Sequence, residues 1–158
     1  MKMAGNISIM AKIRLVTLIH APRERVFNLA RDIDAHMEST GKTKERAVDG
    51  VTSGLIGFGE TVTWEARHFG VRQRLKVRVT EFEYPVMFAD EMVSGAFKSM
   101  KHTHWFEAVE VGTEMVDEFE FVSPMGVLGR FVDWVFLRRY MERFIVQRNR
   151  ILKEMAER

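Results

Sequence analysis

The chain of 158 residues is the size of one domain, and 46% of its residues are apolar, which is enough to bury a core or to wrap a cavity. Its 24 Lys and Arg nearly balance its 22 Asp and Glu, so the charge gives little support for nucleic acid as a partner. The absence of cysteine excludes disulfides, thiolate catalysis and thiolate metal ligands.

The first third of the chain predicts one strand followed by two short helices. Lys12 to Ile19 is rich in Ile, Val, Leu and Thr, and the proline that follows stops the strand. From Pro22 onward, apolar residues recur at three-four spacing, which predicts a short helix with proline at its start. A second helical turn is expected between Asp32 and Thr40, with His36 on its surface.

The middle of the chain predicts a series of strands joined by short turns. Phe69-Gly70 connects two alternating segments, and the second of these has apolar residues on one face and basic residues on the other. Consecutive strands with such short connections favour an antiparallel sheet that buries one face. The predicted segments are Glu45 to Val51, Glu60 to Arg67, Val71 to Val79, Val86 to Val93, Phe97 to Ala108 and Thr113 to Val122.

The end of the chain, Pro124 to Arg158, predicts a long helical segment. At ~1.5 Å per residue it would reach roughly 50 Å, so a kink or a break is expected near Phe136 to Arg139. Val127 to Phe136 is apolar nearly all round and must bury more than one side. Farther along, residues at alternating spacings of four and three form one stripe: Leu137, Met141, Phe144, Arg148, Ile151 and Met155.

Four short motifs, in this order, resemble those of a known family: Ala21-Pro22-Arg23-Glu24-Arg25-Val26-Phe27, Met100-Lys101-His102-Thr103-His104-Trp105-Phe106, Gly112-Thr113 and Ser123-Pro124-Met125-Gly126. Over about residues 10 to 156 the sequence resembles the START-like polyketide cyclase/dehydrase superfamily (SRPBCC). The resemblance implies an α+β helix-grip fold. In this fold a curved antiparallel sheet of about seven strands wraps around a long C-terminal helix and encloses an apolar cavity. One domain over residues 1–158 is expected, with residues 1–9 loosely ordered.

The resemblance does not imply a single activity, because members include lipid and hormone binders, polyketide aromatases and cyclases, and hydroxylase oxygenase domains. The sequence has no Cys/His ligands for an iron–sulfur centre, so the hydroxylase branch has no support. It also has no Gly-rich phosphate loop and no serine elbow. No cofactor is therefore expected.

Ionisable side chains on the apolar faces of three successive strands mark a candidate site. Strand periodicity places Asp90, His102, His104 and Asp117 on the inner face of the sheet, and Gln73 is expected to join them. A buried polar group without a partner costs ~1–3 kcal/mol, so these groups should bond to one another or to a ligand. A β-bulge would invert the assignment for every residue beyond it.

The polar group has three interpretations. A histidine and a carboxylate can act as a proton-transfer pair, in which burial raises the pKa of the Asp and the carboxylate raises the pKa of the His. They can instead form a buried hydrogen bond that fixes strand register, or hold a polar group of a ligand. His102 and His104 with a carboxylate have the spacing of a metal site, but nothing else in the sequence supports one, and no metal is expected.

The apolar walls are the second functional signal. Eleven Met and twelve Phe suit an adaptable apolar pocket, and they suit an ordinary core equally well. The residues predicted to contact a ligand are Trp64, Gln73, Leu75, Val77, Phe88, Met92, Met100, Phe106, Met115, Phe119, Phe131, Met141, Phe144 and Ile145.

The leading hypothesis is a carrier or sensor that binds a hydrophobic small molecule, such as a lipid or an aromatic polyketide-like compound. One alternative is a cyclase or dehydratase-type enzyme that uses the His/Asp pair. Another is an interaction module that docks a partner or a second copy, as a homodimer, through Val127 to Phe136. The weakly apolar N-terminus indicates neither a signal peptide nor a membrane span, so a cytoplasmic protein without membrane insertion is expected.

Overall fold

A computed structural model describes residues 10–123 and 133–158, with side chains from residue 135 onward in the second range. The first half contains β1 (Ala11–Ile19), α1 (Arg23–Ala30), α2 (Ile33–Ser39), β2 (Arg46–Gly50) and β3 (Thr61–His68). The second half contains β4 (Val71–Glu83), β5 (Met87–Ser94), β6 (Ser99–Val109), β7 (Gly112–Val122), a π-helical turn (Asp133–Leu137) and α3 (Arg138–Ala156).

The seven strands form one antiparallel sheet in the order β1-β7-β6-β5-β4-β3-β2. Neighbours in sequence are neighbours in the sheet from β2 to β7, and β1 forms the far edge against β7. The two short helices follow β1, and α3 packs against β1 and both short helices. The predicted α+β helix-grip architecture, with a curved sheet and a long C-terminal helix, is confirmed.

Two local features show why the chain turns where it does. The Asp32 carboxylate accepts hydrogen bonds from the backbone N–H groups of Asp34, at 2.9 Å, and Ala35, at 3.1 Å, and so caps the start of α2. Gly112 joins β6 to β7 at a φ of 147°, and a side chain there would collide with the carbonyl of Ile19. Glycine satisfies both the conformation and the close approach of β1.

The C-terminal helix buries a stripe that mixes apolar and polar residues. Ile145, Leu152 and Ala156 are buried, and so are Arg148 and Asn149 between them. The π-helical turn passes into α3 at Arg138, inside the region where the sequence predicts an irregularity. Residues 124–132 lie outside the described part of the chain.

The core has two parts, and the arrangement of these parts positions the cavity. One part includes Ile13, Trp64, Val77, Phe119 and Ile145, and it surrounds the space between the middle of the sheet and α3. The second part fills the space between α1, the ends of β6 and β7, and the last turns of α3. Its members include Phe27, Phe88, Phe106, Met115 and Leu152. The Phe27 ring meets the rings of Phe82, Phe88 and Phe106 at centroid distances of 5.4, 5.4 and 5.1 Å.

Among the described residues, no helix is long and apolar enough to cross a membrane.

Candidate functional site

A cavity of about 430 Å³ lies between the inner face of the sheet and α3. Its wall is mainly apolar and receives side chains from β3, β4, β6, β7 and α3. Of the residues predicted from the sequence to contact a ligand, ten line it: Trp64, Gln73, Leu75, Val77, Phe88, Met100, Phe119, Met141, Phe144 and Ile145.

Three of the residues predicted to contact a ligand do not line the cavity. Phe106 and Met115 face inward but lie farther along β6 and β7, where they pack in the second part of the core instead. Met92 pairs with Val77 beside a shift of strand register and packs against the first part of the core without lining the cavity. Phe131 lies outside the described residues.

The inner end of the cavity carries a polar group, here called the Asp117 cluster: Asp90, His102, His104, Asp117 and Arg148. Antiparallel pairing sets Asp90 opposite His102 and sets His104 opposite Asp117. His102 donates a hydrogen bond from Nε2 to Asp117 Oδ1 over 2.8 Å. His104 Nδ1 lies 3.1 Å from the same oxygen, and its Nε2 lies 3.4 Å from Asp90 Oδ2. His104 Nδ1 has no hydrogen-bond partner among the described residues, so its contact with Asp117 is electrostatic.

The C-terminal helix completes the Asp117 cluster. Arg148 Nη1 lies 3.6 Å from Asp117 Oδ1, and Asn149 donates from Nδ2 to Asp117 Oδ2 over 2.6 Å. Asp117 is only 1% exposed and does not line the cavity, whereas Asp90, His102, His104 and Arg148 do. Asp117 therefore contacts the histidines on the side away from the cavity, and the other four members of the cluster face the cavity.

The two histidines have opposite pKa shifts. Burial, together with the neighbouring His104, lowers the pKa of His102 to about 4, against the opposing hydrogen bond to Asp117. Burial also acts to lower the pKa of His104, but contacts with Asp117 and Asp90 outweigh it and raise that pKa. His102 is therefore neutral near pH 7. Because its Nε2–H bonds to Asp117, its Nδ1 carries a lone pair, and the described residues provide no partner for it.

Both carboxylates of the cluster are ionised. Burial acts to raise the pKa of Asp117, but the hydrogen bonds and charges of His102 and His104 hold it well below its ordinary value. Asp90 follows the same pattern, with burial opposed by His104, His102 and Arg148, and its pKa is lowered. The two negative charges are matched by Arg148 and by the protonated form of His104, so the cluster can balance its own charge.

Asp90, His102 and His104 also have the spacing of a metal site, with one ligand atom from each within 4.8 Å of the others. Carboxylate and imidazole ligands suit Zn²⁺ and related ions. The guanidinium of Arg148 beside Asp117 disfavours a second cation there. The expectation that the chain binds no metal stays a prediction.

A second polar group, here called the Tyr140 cluster, lies along another part of the wall: His36, Glu45, His68 and Tyr140 all line the cavity. His36 stacks on Trp64 at a centroid distance of 4.1 Å, and its Nε2 lies 3.2 Å from Glu45 Oε2. His68 Nδ1 and the Tyr140 hydroxyl form a hydrogen bond of 2.6 Å. The prediction that His36 lies on a helix surface was wrong, because the inner side of α2 covers Trp64.

The charge states of the Tyr140 cluster follow from burial and from one carboxylate. Burial acts to raise the pKa of Glu45, but His36 and His68 lower it below its ordinary value. Burial lowers the pKa of His68, with Glu45 opposing, and burial and Glu45 together raise the pKa of Tyr140. At neutral pH Glu45 is therefore a carboxylate, and the side chains of His68 and Tyr140 are neutral.

Sequence reasoning did not propose Arg148, Asn149 or the Tyr140 cluster as parts of the site. Arg148 was visible as a charged residue at a stripe position between Phe144 and Ile151, the same signal that marked Asp117 on its strand. His68 and Tyr140 meet only because the β3–β4 turn approaches the start of α3, which no local pattern encodes.

The fold and site define a class: an α+β helix-grip protein with a largely apolar cavity between sheet and helix. The family described as polyketide cyclase / dehydrase and lipid transport matches residues 10–157, and the chain belongs to this family. No curated protein sequence matches it.

Several solved structures share the fold at low sequence identity. The protein TTHA0849 from Thermus thermophilus superposes with a TM-score of 0.76 at 18% identity, covering 92% of this chain and 97% of the other. The ZhuI aromatase/cyclase from Streptomyces sp. R1128 gives a TM-score of 0.74 at 16% identity, covering 95% of each chain. Major latex-like protein 151 from Panax ginseng gives 0.69 at 12% identity, covering 93% and 97%.

Proposed function

We propose that the protein binds a hydrophobic small molecule in the cavity between the sheet and α3. The supporting observation is the cavity itself: it has a volume of about 430 Å³, its wall is mainly apolar, and its polar lining residues include two clusters. Pockets of this size bury most of the surface of a drug-sized molecule. The family description, which includes lipid transport, is consistent with this role.

The Asp117 cluster supplies the polar contact for such a ligand. His102 lines the cavity with its side chain 13% exposed, and its Nδ1 is an acceptor without a partner among the described residues. A ligand hydroxyl can donate to this nitrogen while the rest of the molecule contacts apolar residues such as Met100, Phe119 and Ile145. A lipid-like or aromatic compound with an oxygen at one end meets these requirements.

Binding is tested with 4-hydroxystilbene, an elongated apolar phenol, by isothermal titration calorimetry. A ligand of this size in an apolar pocket should bind with a Kd on the order of 10 µM. Val77→Phe places a ring in the cavity and should weaken binding by at least ~10-fold, whereas Val16→Phe, at a 50% exposed position of β1, should not change it. Equal affinity in both variants would place the probe elsewhere and contradict the proposal.

An enzyme of the cyclase or dehydratase type is the second candidate, and the opposite pKa shifts of the two histidines favour it. Neighbouring groups with pKa values pushed apart are typical of acid–base catalysis. His104, with a raised pKa, would serve as the acid, and the Asp90 carboxylate would serve as the base at an enolisable carbonyl. Asp117 would then orient His104 without touching the substrate.

The docking hypothesis and the homodimer stay predictions. Most of Val127 to Phe136 lies outside the described residues. Phe136 is 57% exposed, lines the cavity and meets Phe69 at a centroid distance of 5.5 Å, so the described end of this segment borders the cavity.

A further inference from the structure

We propose that the Tyr140 cluster is a second polar binding site in the same cavity, and that the ligand is an elongated apolar molecule with a hydroxyl or carbonyl group at each end. This inference rests on the proposed function and specifies the class of ligand. It starts from the composition of the wall: besides single polar residues such as Arg31, Asp32 and Arg74, the mainly apolar lining contains two clusters of polar side chains.

The separation of the clusters follows from the geometry of α3. Tyr140 and Arg148 lie on this one helix, eight residues apart, and each belongs to one cluster. At ~1.5 Å per residue the two ends are about 12 Å apart along the helix axis. Leu75, Val77, Phe144 and similar apolar side chains line the space between them. A ligand that reached both ends would have a rigid or extended apolar middle of two to three rings or an equivalent chain.

The His68–Tyr140 pair keeps unused hydrogen-bonding capacity whichever atom donates. If the Tyr140 hydroxyl donates to Nδ1, the pair keeps the Nε2–H donor of His68 and the acceptor lone pair of Tyr140. If Nδ1–H donates instead, the pair keeps the Tyr140 O–H donor and the Nε2 acceptor. In both cases one donor and one acceptor are free, which matches a ligand hydroxyl and also accommodates a carbonyl.

Gln73 adds a further polar group near this end. It lies on β4 opposite Ala66, it lines the cavity, and its amide has no hydrogen-bond partner in the described ranges 10–123 and 133–158. The two remaining members of the cluster, His36 and Glu45, bind each other and hold the Trp64 ring in the wall. Gln73 pairs with Ala66, two residues before His68 on β3, so it lies at the same end of the cavity as His68 and Tyr140.

The test compares 4-hydroxystilbene with 4,4′-dihydroxystilbene, which adds one hydroxyl at the opposite end of the same core. One net hydrogen bond contributes about 1 kcal/mol, so the diol should bind roughly fivefold more tightly to the wild-type protein. Tyr140→Phe should remove this gain, so that the diol and 4-hydroxystilbene bind the variant with affinities within about twofold of each other. Tyr84→Phe is the matched control, since Tyr84 is 51% exposed and does not line the cavity, and it should retain the gain.

The possible outcomes distinguish a failure of the second polar site from a failure of the proposed binding function. If 4-hydroxystilbene binds in the cavity but the diol gains nothing, or the gain survives in Tyr140→Phe, the second site is refuted and the apolar binding site stands. If neither compound binds, the proposed function fails together with the inference. Gln73→Leu removes the other polar side chain that the proposal places at this end and should reduce the same gain, which keeps the test decisive if Tyr140→Phe does not fold.

Discussion

His102 and His104 are neighbours on the same strand face, with ring centroids 3.9 Å apart, yet their environments drive their protonation in opposite directions. A general base works best when its pKa is near the ambient pH, so His102, with a pKa of about 4, is a weak base and a good hydrogen-bond acceptor. His104 is 2% exposed and stacks on Phe88 at 4.3 Å. At the residue scale His102 is therefore suited to accept a hydrogen bond from a ligand and not to act as a general base.

Deuterium exchange at the α-carbon of 2-tetralone, a bicyclic enolisable ketone, separates binding from catalysis. The binding proposal predicts that the wild-type protein exchanges this position no faster than buffer does at pH 7, as followed by proton NMR in D₂O. General acid–base catalysis would instead accelerate exchange by ~100-fold or more. Acceleration that is lost in His104→Gln and kept in His20→Gln, an exposed histidine outside the cavity, would establish the enzyme and displace the binding-only account.

At the scale of elements, Asp117 joins three parts of the fold. It lies on β7 and contacts both histidines of β6 and both Arg148 and Asn149 of α3. These contacts fix the distance between the sheet and the helix at the inner end of the cavity. The buried carboxylate is stabilised only while all these partners surround it, because an unpaired buried charge is strongly destabilising.

Replacing Asp117 with Asn should lower the free energy of unfolding by ~3 kcal/mol at pH 7, since it leaves Arg148 buried without its anion. The pKa of Asp117 is depressed in the folded state, so the charge stabilises the fold above the unfolded pKa and this contribution is lost as the pH falls through the folded value. The difference between wild type and variant should therefore shrink below about pH 4.

Urea unfolding at pH 7 and at several values below pH 4 measures this difference. Glu114→Gln on the outer face of the same strand is the control and should change stability by less than ~0.5 kcal/mol. An Asp117→Asn variant as stable as Glu114→Gln at pH 7 would show that the cluster does not hold the sheet and helix together.

The sequence predicts the elements well, because their signals are local. Alternation in Val71 to Val79 and the proline after the first strand are sufficient to place a strand and a helix start, and β4 only proves longer than expected. The inner face of β6 and β7 also follows from parity, since their pairing has no register shift. The position at which the cavity ends cannot be predicted from the sequence, because it depends on where α1 and the last turns of α3 fill the space around Phe106 and Met115.

At the scale of the whole molecule, the proposed function requires that the space between the sheet and α3 is a ligand site and not a packing defect. A core without a ligand role would be expected to be packed at crystal-like density, whereas the residues that the structure describes leave a space of about 430 Å³ between the sheet and α3. Both polar clusters line this space and keep free hydrogen-bonding atoms.

The most direct test of this claim is an NMR measurement of intermolecular nuclear Overhauser effects between 4-hydroxystilbene and the methyl groups of the wild-type protein. We predict contacts from the bound ring protons to the methyls of Leu75, Val77 and Ile145, which line the cavity, and none to Val16 or Val146, which are each 50% exposed. Contacts confined to surface methyls, with unchanged signals from the three cavity residues, would contradict it.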